Sequence, residues 1–586
     1  MCRAQERRSE SHVSMITLAF HAGYHDASAA LFDGYELRAA ISLERLTRRK
    51  GDGGGRVPEP CIDEVLAIAG IRRSDVDMVA SSRGALPLRY FRHMRGGRRI
   101  EQIARVALGR EKPKDVAIEL RRAGTTDATE IFDCRRFLDD LGFSRARGLH
   151  FYNHHRAHAL PTLFYTDWDD ALLYTADGGG DNVNWSHRLF RGGMVADLFG
   201  DDRWLLQPTR IDSLGLLYGH CTQALGFRIN RHEGKLTGLA AHGRPVLADA
   251  MAAHFRVDDE GRVGSDFPDV PSMRRFAHEI ATGVEPADVA ASVQEVLERF
   301  ILQSMGRLVE RHGVRRVGLG GGVFANVRLN RRIAEELGLD EIFVFPAMSD
   351  EGLPVGVALD LLLAQDGPAT WLASRRRLRD VYLGRDHGAA IDAALAAIPG
   401  ARMVSDRPAE DAARRIAAGE IGAIYDGRME FGPRALGARS ILASPVDPQI
   451  NADLNRRLAR TDFMPFAPVV LEEDASRVFE LGRASAYAAR FMTVTCGVRP
   501  DWRSRIPAVV HVDGSARPQT IDGTTHPLYA AIVAAHRALT DLPVLINTSF
   551  NVHEEPIVNR PEECVRALLD GRVDFVVTAR GVWRLG

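Results

Sequence analysis

The chain has 586 residues, 45% of them hydrophobic and 26% charged, the profile of a soluble globular protein long enough for two to four domains. A formal charge of −1 gives no general pull toward nucleic acid or membrane surfaces, and no stretch approaches the roughly 20 apolar residues of a transmembrane helix. The six cysteines are scattered without a C-x-x-C, which argues against a disulfide framework or a cysteine metal site and for a reducing, cytoplasmic setting.

Residues 1–14 (MCRAQERRSESHVS) are polar without an apolar core, the pattern of a disordered extension and not of a secretory signal. Residues 16–20 read as a strand. The turn HAGYHDAS, a strand at 29–32, the tight turn Asp33-Gly34 and a strand at 37–43 follow. A helix is expected over 61–70 and a strand over 77–81. The stretch 89–114 is rich in arginine and lysine, and a solvated insertion fits it better than an anion site.

In FYNHHRAHAL, His154 and His158 are four apart, so a helix starting near Asn153 puts both imidazoles on one face. Capping or packing histidines share that spacing. Two carboxylates at the ends of apolar runs favour a metal: Asp177 in ALLYTADGGG and Asp350 in IFVFPAMSDEG. Such a mixed nitrogen and oxygen set suits iron(II), manganese or zinc better than calcium. The segment 171–199 also repeats the opening architecture: strand, the glycine turn DGGGDN, strand, the turn Arg191-Gly192-Gly193, strand. Two such lobes facing a cleft are the plan of actin-like and sugar-kinase-like ATPases, whose hairpin turns hold nucleotide phosphates.

Lys235, in HEGKLTGLAAHG, reads equally as a phosphate ligand or a surface lysine. A long amphipathic helix over 290–312 leads to a strand at 314–319 and the turn from Gly320 to Asn326. Its three glycines either bring backbone amides close to a phosphate or nucleobase or simply make a tight turn. A C-terminal part starts near 380, with a strand at 380–383, a helix at 389–398 and a strand at 421–425. In DGRMEFGPRALGARSILASP the cluster Arg428, Arg434 and Arg439 fits either a small oxyanion or ion pairing with Glu430. A strand within 542–558 opens into Asn547, Thr548, Ser549 and Asn551, donors for a small polar ligand.

The motifs HDASAAL, HHRAHA, EGKLTGLAAHG, GGGVFANVRLN, GRMEFGPRALGARSIL, PFAP, RPQT and NTSFN–EPIV occur in this order across nearly the whole chain. Together they resemble the NodU/CmcH/TobZ type of O-carbamoyltransferase. The resemblance implies an α/β protein. An N-terminal two-lobed actin-like domain (ASKHA, threonylcarbamoyl-adenosine-transferase-like) would span 15–375, and a YrdC-like α/β domain 376–586. The second would convert carbamoyl phosphate and ATP to carbamoyl-adenylate. The first would pass the carbamoyl group to a hydroxyl of a natural product, as in antibiotic biosynthesis.

The resemblance assigns His154, His158, Asp177 and Asp350 to Fe(II) or another divalent metal. Magnesium as the companion ion of ATP is a further expectation, as is a homodimer. His25, next to Asp26, would be the general base beside the acceptor, titrating near neutrality. Gly178, Lys235, Gly320, Gly321, Gly322 and Asn326 would hold nucleotide. Arg434, Arg460, Arg517, Asn547 and Ser549 would hold carbamoyl phosphate. Three positions depart from the pattern. Gly23 stands where an acid is usual. Ala459, or Arg460 if one residue is missing, stands for a lysine. Met464 stands for an arginine before PFAP. Because two of these belong to the carbamoyl phosphate pocket, the alternative expectations are a changed donor, a changed C-terminal chemistry, or a non-catalytic nucleotide-binding homologue.

Overall fold

The structure, a computed structural model, describes residues 15–92, 112–459 and 465–586. Residues 1–14, most of the basic stretch expected over 89–114, and both Arg460 and Met464 lie outside the described residues.

Two sheets of the same topology make up the N-terminal half. The first contains β1 (Ile16–His21), β2 (Ser28–Asp33), β3 (Glu36–Ser42), β4 (Met78–Ser82) and β5 (Leu149–Tyr152), in the order β3-β2-β1-β4-β5. Helix α1 (His154–Phe164) crosses to the second sheet. That sheet contains β6 (Asp170–Gly180), β7 (Val183–Arg191), β8 (Met194–Phe199), β9 (Arg316–Gly320) and β10 (Glu341–Val344), in the order β8-β7-β6-β9-β10. In both sheets the first three strands pair antiparallel and the last two join in parallel. The architectural repeat expected from the strand-and-turn pattern is therefore present, strand for strand.

The long helix α2 (Pro286–His312) packs against the outer side of the second lobe. Helix α3 (Leu353–Ala373), kinked at Gly367, lies on the inner face of the first. Alternation along the strands explains how. Leu18 and Phe20 face the core shared with the helix Glu59–Ala69, while Ala19, Ala30, Ala40 and Ala80 present small side chains to α3. Where α1 and α3 cross, a Cβ at Gly356 would meet the carbonyl of Ala157, so only glycine permits this approach.

One expectation needs correction. DGGGDN is not all turn, because β6 continues through Gly180 after a register shift beyond Ala176. The hairpin closes at Asp181 and Asn182, with φ of 46° and 68°, the left-handed pair that a two-residue turn requires. The glycines are needed for proximity, since a Cβ at Gly180 would overlap the His154 ring.

The C-terminal part is built on an eight-stranded sheet, with a small three-stranded sheet of Phe479–Glu480, Cys496–Val498 and Ser515–Ala516 beside it. The strands of the larger sheet are β11 (Ala401–Ser405), β12 (Gly422–Tyr425), β13 (Arg439–Ala443), β14 (Ala467–Leu471), β15 (Gln519–Ile521), β16 (Val544–Ser549), β17 (Phe575–Thr578) and β18 (Gly581–Leu585). Their order is β11-β18-β17-β12-β13-β16-β14-β15. The strand expected at 380–383 runs over Tyr382–Asp386 and pairs outside this sheet, with Arg428–Glu430. Arg45 donates to the Gly432 carbonyl (2.7 Å), and Arg48 to those of Pro556 and Ile557 (2.7 Å each), tying the first lobe to the C-terminal part.

Among the described residues no helix is long and apolar enough to cross a membrane, and the five described cysteines are all free.

Candidate metal centre and donor pocket

His154 and His158 start α1. Asn153 caps that helix, its side chain accepting from the Arg156 N–H, so the two imidazoles sit one turn apart as the spacing predicts. His154 is fixed further by its own N–H, which donates to Asp181 Oδ2 (2.7 Å). Arg83, buried beneath, donates to Asp181 (3.3 Å) and in two bonds to Asp202 (2.7 Å each). Asp177 lies on β6 beyond the register shift. Its Oδ1 accepts from the Gly178 N–H (2.5 Å) and its Oδ2 from the Gly322 N–H (2.9 Å). Asp350 opens the 3-10 turn that leads into α3.

These four side chains converge. One donor atom from each of His154, His158, Asp177 and Asp350 lies within 4.8 Å of all the others. The His154 and His158 Nε2 atoms are 3.2 Å apart. His158 Nε2 is 3.4 Å from Asp177 Oδ2 and 3.5 Å from Asp350 Oδ1, which is also 3.6 Å from His154 Nε2. Asp350 Oδ1 is buried without a hydrogen-bond partner. Packed nitrogen and carboxylate donors with an orphaned oxygen fit a divalent first-row cation.

The charges are mutually supporting. Burial acts against the charged form of His158, but the Asp177 and Asp350 carboxylates close to its Nε2 outweigh it and raise its pKa to about 9. Burial and the Asp350 charge push Asp177 up, yet His158 and His154 hold it at about 2. Asp350 is likewise held well below the usual carboxylate range by His154 and its neighbours, against its burial. His155, between His154 and His158 in the chain, bonds to Thr175 Oγ1 and the Val183 carbonyl and is a packing residue.

His25 and Asp26 sit in the β1–β2 turn at the edge of this cluster. His25 Nδ1 is 3.2 Å from Asp26 Oδ2 and 3.9 Å from Asp350 Oδ2. The hydrogen bond to Asp26 and the Asp350 and Asp177 charges push His25 up to about 10, against its burial, well above the near-neutral titration expected for it. A dication on Asp350 and Asp177 opposes that upward pull. Sequence reasoning missed His21, at the end of β1, whose Nε2 faces Asp350 Oδ2 at 3.6 Å. Its only signal was a second histidine in HAGYH.

The glycine turn abuts the centre. A Cβ at Gly320 would meet the His158 carbonyl, and one at Gly321, with φ of 95°, the Ala176 carbonyl. The Asn326 side chain caps the helix Val327–Glu336 and exchanges hydrogen bonds with Gln294. Lys235 is half-buried on the helix Glu233–Leu239. Beyond these, a cavity of about 490 Å³ runs between Gly238, Val327 and Arg328 on one side and Thr495, His511 and Ser515 on the other.

Of the arginine cluster in the C-terminal part, only Arg434 reaches across to the N-terminal half without being spent on carbonyls of its own surroundings. Arg428 donates to the carbonyls of Leu383, Gly384 and Arg38. Arg439 donates to those of Asp426, Gly427 and Ala438 and stacks on Tyr425. Both are structural, and Glu430 pairs with backbone N–H groups of Leu436 and Arg439 instead of with a guanidinium. Arg434 reaches the first domain's glycine turn, 3.4 Å from the Ala325 carbonyl. The Nε atoms of Arg434 and Arg517 are both buried without partners. Burial lowers Arg434 to about 10, against the pull of Glu351. It lowers Arg517 further, aided by the Arg434 charge. Asn547 beside them donates to the Ala435 carbonyl and Gln519, leaving its Oδ1 unpartnered. Ser549 ends β16. Ala459 takes a left-handed backbone (φ 51°) just before the undescribed 460–464.

Residues 17–359 match the family description "Carbamoyltransferase N-terminus", and residues 413–584 match "Carbamoyltransferase C-terminus". The chain belongs to the carbamoyltransferase family. This carbamoyltransferase is 33% identical to nodulation protein NolNO of Sinorhizobium fredii, over 94% of its own length and 78% of that protein. It is 34% identical to nodulation protein NolO of Bradyrhizobium diazoefficiens over 72% and 77%. It is 30% identical to the uncharacterized protein sll1178 of Synechocystis over 96% and 95%. Among solved structures, full-length HypF in its phosphate- and nucleotide-bound form aligns with a TM-score of 0.37 and 14% identity, over 61% of this chain and 47% of HypF.

Proposed function

We propose that this carbamoyltransferase consumes ATP and carbamoyl phosphate, forms carbamoyl-adenylate at the Arg434/Arg517 pocket, and carries the carbamoyl group to a hydroxyl of a secondary metabolite at the metal centre. The observation that carries this reading is Arg434. It belongs to the C-terminal anion pocket and touches the Ala325 turn of the domain that holds the four metal donors, so the donor-making and transfer chemistries adjoin.

Two buried guanidiniums whose Nε atoms have no hydrogen-bond partner among the described residues are a site for a doubly charged oxyanion. There carbamoyl phosphate loses phosphate to water, and the carbamate oxygen attacks the α-phosphorus of ATP, expelling pyrophosphate. In the transfer step the acceptor oxygen attacks the carbamoyl carbon and AMP leaves. With the Asp350 and Asp177 charges taken up by the cation and its pKa so lowered, His25, half-exposed at the cleft and held through Nδ1 by Asp26, takes the acceptor proton at Nε2. His154, His158, Asp177 and Asp350 would hold iron(II) or a similar dication. Such an ion supplies Lewis acidity and an anchor for the anionic leaving group. The N–H groups of Gly321 and Gly322 are already given to the Met348 carbonyl and to Asp177 (2.9 Å each), so this turn serves close approach to the centre and not donation to phosphate.

The deciding experiment measures AMP and pyrophosphate from ATP, with and without carbamoyl phosphate, with iron(II) and no acceptor. Pyrophosphate that depends on carbamoyl phosphate is expected. None, with ATP still bound, sinks the carbamoyl phosphate route. It would favour a changed donor, for which the substitutions at Ala459 and Met464 are the motive, and Met464→Arg would then be the test.

A further inference from the structure

The four-donor centre uses one oxygen of Asp350. Oδ1 faces His154 and His158, while Oδ2 turns the other way, toward His21 Nε2 at 3.6 Å. His21 is 4% exposed. Its Nδ1 is 2.6 Å from the buried Ser82 hydroxyl on the neighbouring strand β4, and its Nε2 has no hydrogen-bond partner. A nitrogen sealed off next to a carboxylate oxygen, on a ring pinned from behind, is arranged for that oxygen. With the Ser82 hydroxyl donating to Nδ1, the Nε2 proton points at Asp350. Metal-ligating carboxylates are commonly held by such a partner.

Gly23 belongs to the same arrangement. A Cβ there would lie 2.3 Å from His21 Nε2, and its other near neighbour is the His25 carbonyl at 2.5 Å. Any side chain at position 23 and the present His21 ring exclude each other. The glycine at position 23 and the present placement of the His21 ring are thus sterically linked.

We propose that His21 is a positioning residue of the metal centre. Through Nε2 it holds Asp350 Oδ2, leaving Oδ1 to the cation, with Ser82 setting the ring and Gly23 leaving it room. This rests on reading His154, His158, Asp177 and Asp350 as metal ligands.

The test is cobalt(II) titration of the full chain, followed by its visible absorption, with melting temperature recorded without metal. His21→Leu keeps volume but loses the N–H. His21→Gln keeps an N–H donor. Asp177→Asn is the control for the centre itself. His21→Leu should bind cobalt about 10–100-fold more weakly with an altered spectrum, and His21→Gln should regain most of the affinity. In an Asp350→Asn background, His21→Leu should cost little more. Gly23→Ala should reproduce the His21→Leu loss. Wild-type affinity in His21→Leu overturns the proposal, as does His21→Gln no better than His21→Leu with both melting normally. Cobalt binding that survives Asp177→Asn, or is absent from the wild type, overturns the metal reading itself.

Discussion

The two lobes share a strand order and differ in what their hairpins carry. In the second lobe, the β6–β7 hairpin supplies Asp177 to the four-donor cluster and Asp181 as the acceptor for the His154 N–H. Both are locked by short bonds, and the turn is closed by two left-handed residues. In the first lobe, the β1–β2 turn supplies His25 and Asp26, and its His25 side chain is far more open. On the proposed function, the tightly bonded second-lobe hairpin would hold the cation from its side of the cleft and the more open first-lobe turn would meet the acceptor. Each half should fail in its own way when mutated.

Asp177→Asn should give the largest effect, with loss of metal binding and of carbamoyl transfer, read by metal content and product formation. His25→Ala should slow transfer about 10²–10⁴-fold, leaving metal affinity and carbamoyl phosphate-dependent pyrophosphate release intact. A parallel loss of metal would erase the division between the lobes. Arg434→Ala, outside both lobes, should cost about 1.5–3 kcal/mol in carbamoyl phosphate use, read as kcat/KM, without changing metal affinity. Asp181→Ala should weaken metal binding about tenfold by loosening His154.

The smallest effect is with pH, in metal-free protein. His158 is raised from about 6.5 to about 9, so its stabilising contribution is complete below pH 6.5 and fades as pH climbs through 9. His25, raised to about 10, acts in the same direction. Melting temperature should therefore fall over that window. Metal affinity should rise over the same window, because His158 must lose its proton to bind.

The convergence of His154, His158, Asp177 and Asp350 was legible because helical spacing and strand-end carboxylates are local patterns. The hairpins were legible from β-rich runs parted by Asp-Gly and Gly-Gly. Asp177 was read at a turn and lies within a strand, because runs of glycine look alike in either setting. His21 was illegible because its partners, Ser82 and Asp350, come from other segments and no periodicity links them. The fates of Arg428 and Arg439 were illegible for a related reason. They satisfy backbone carbonyls, which no sequence spacing announces.

The crossing of α1 and α3 at Gly356 has a mechanical side. Helix α1, with His154 and His158, rests on the second sheet, whereas α3, led in by Asp350, rests on the first. A cation joining those residues rivets the two lobes at the bottom of their cleft. Loading the ion should then do for this protein what a cross-link does for a hinge. It should stiffen the pair against opening and raise the melting temperature in step with metal concentration, even with no substrate present.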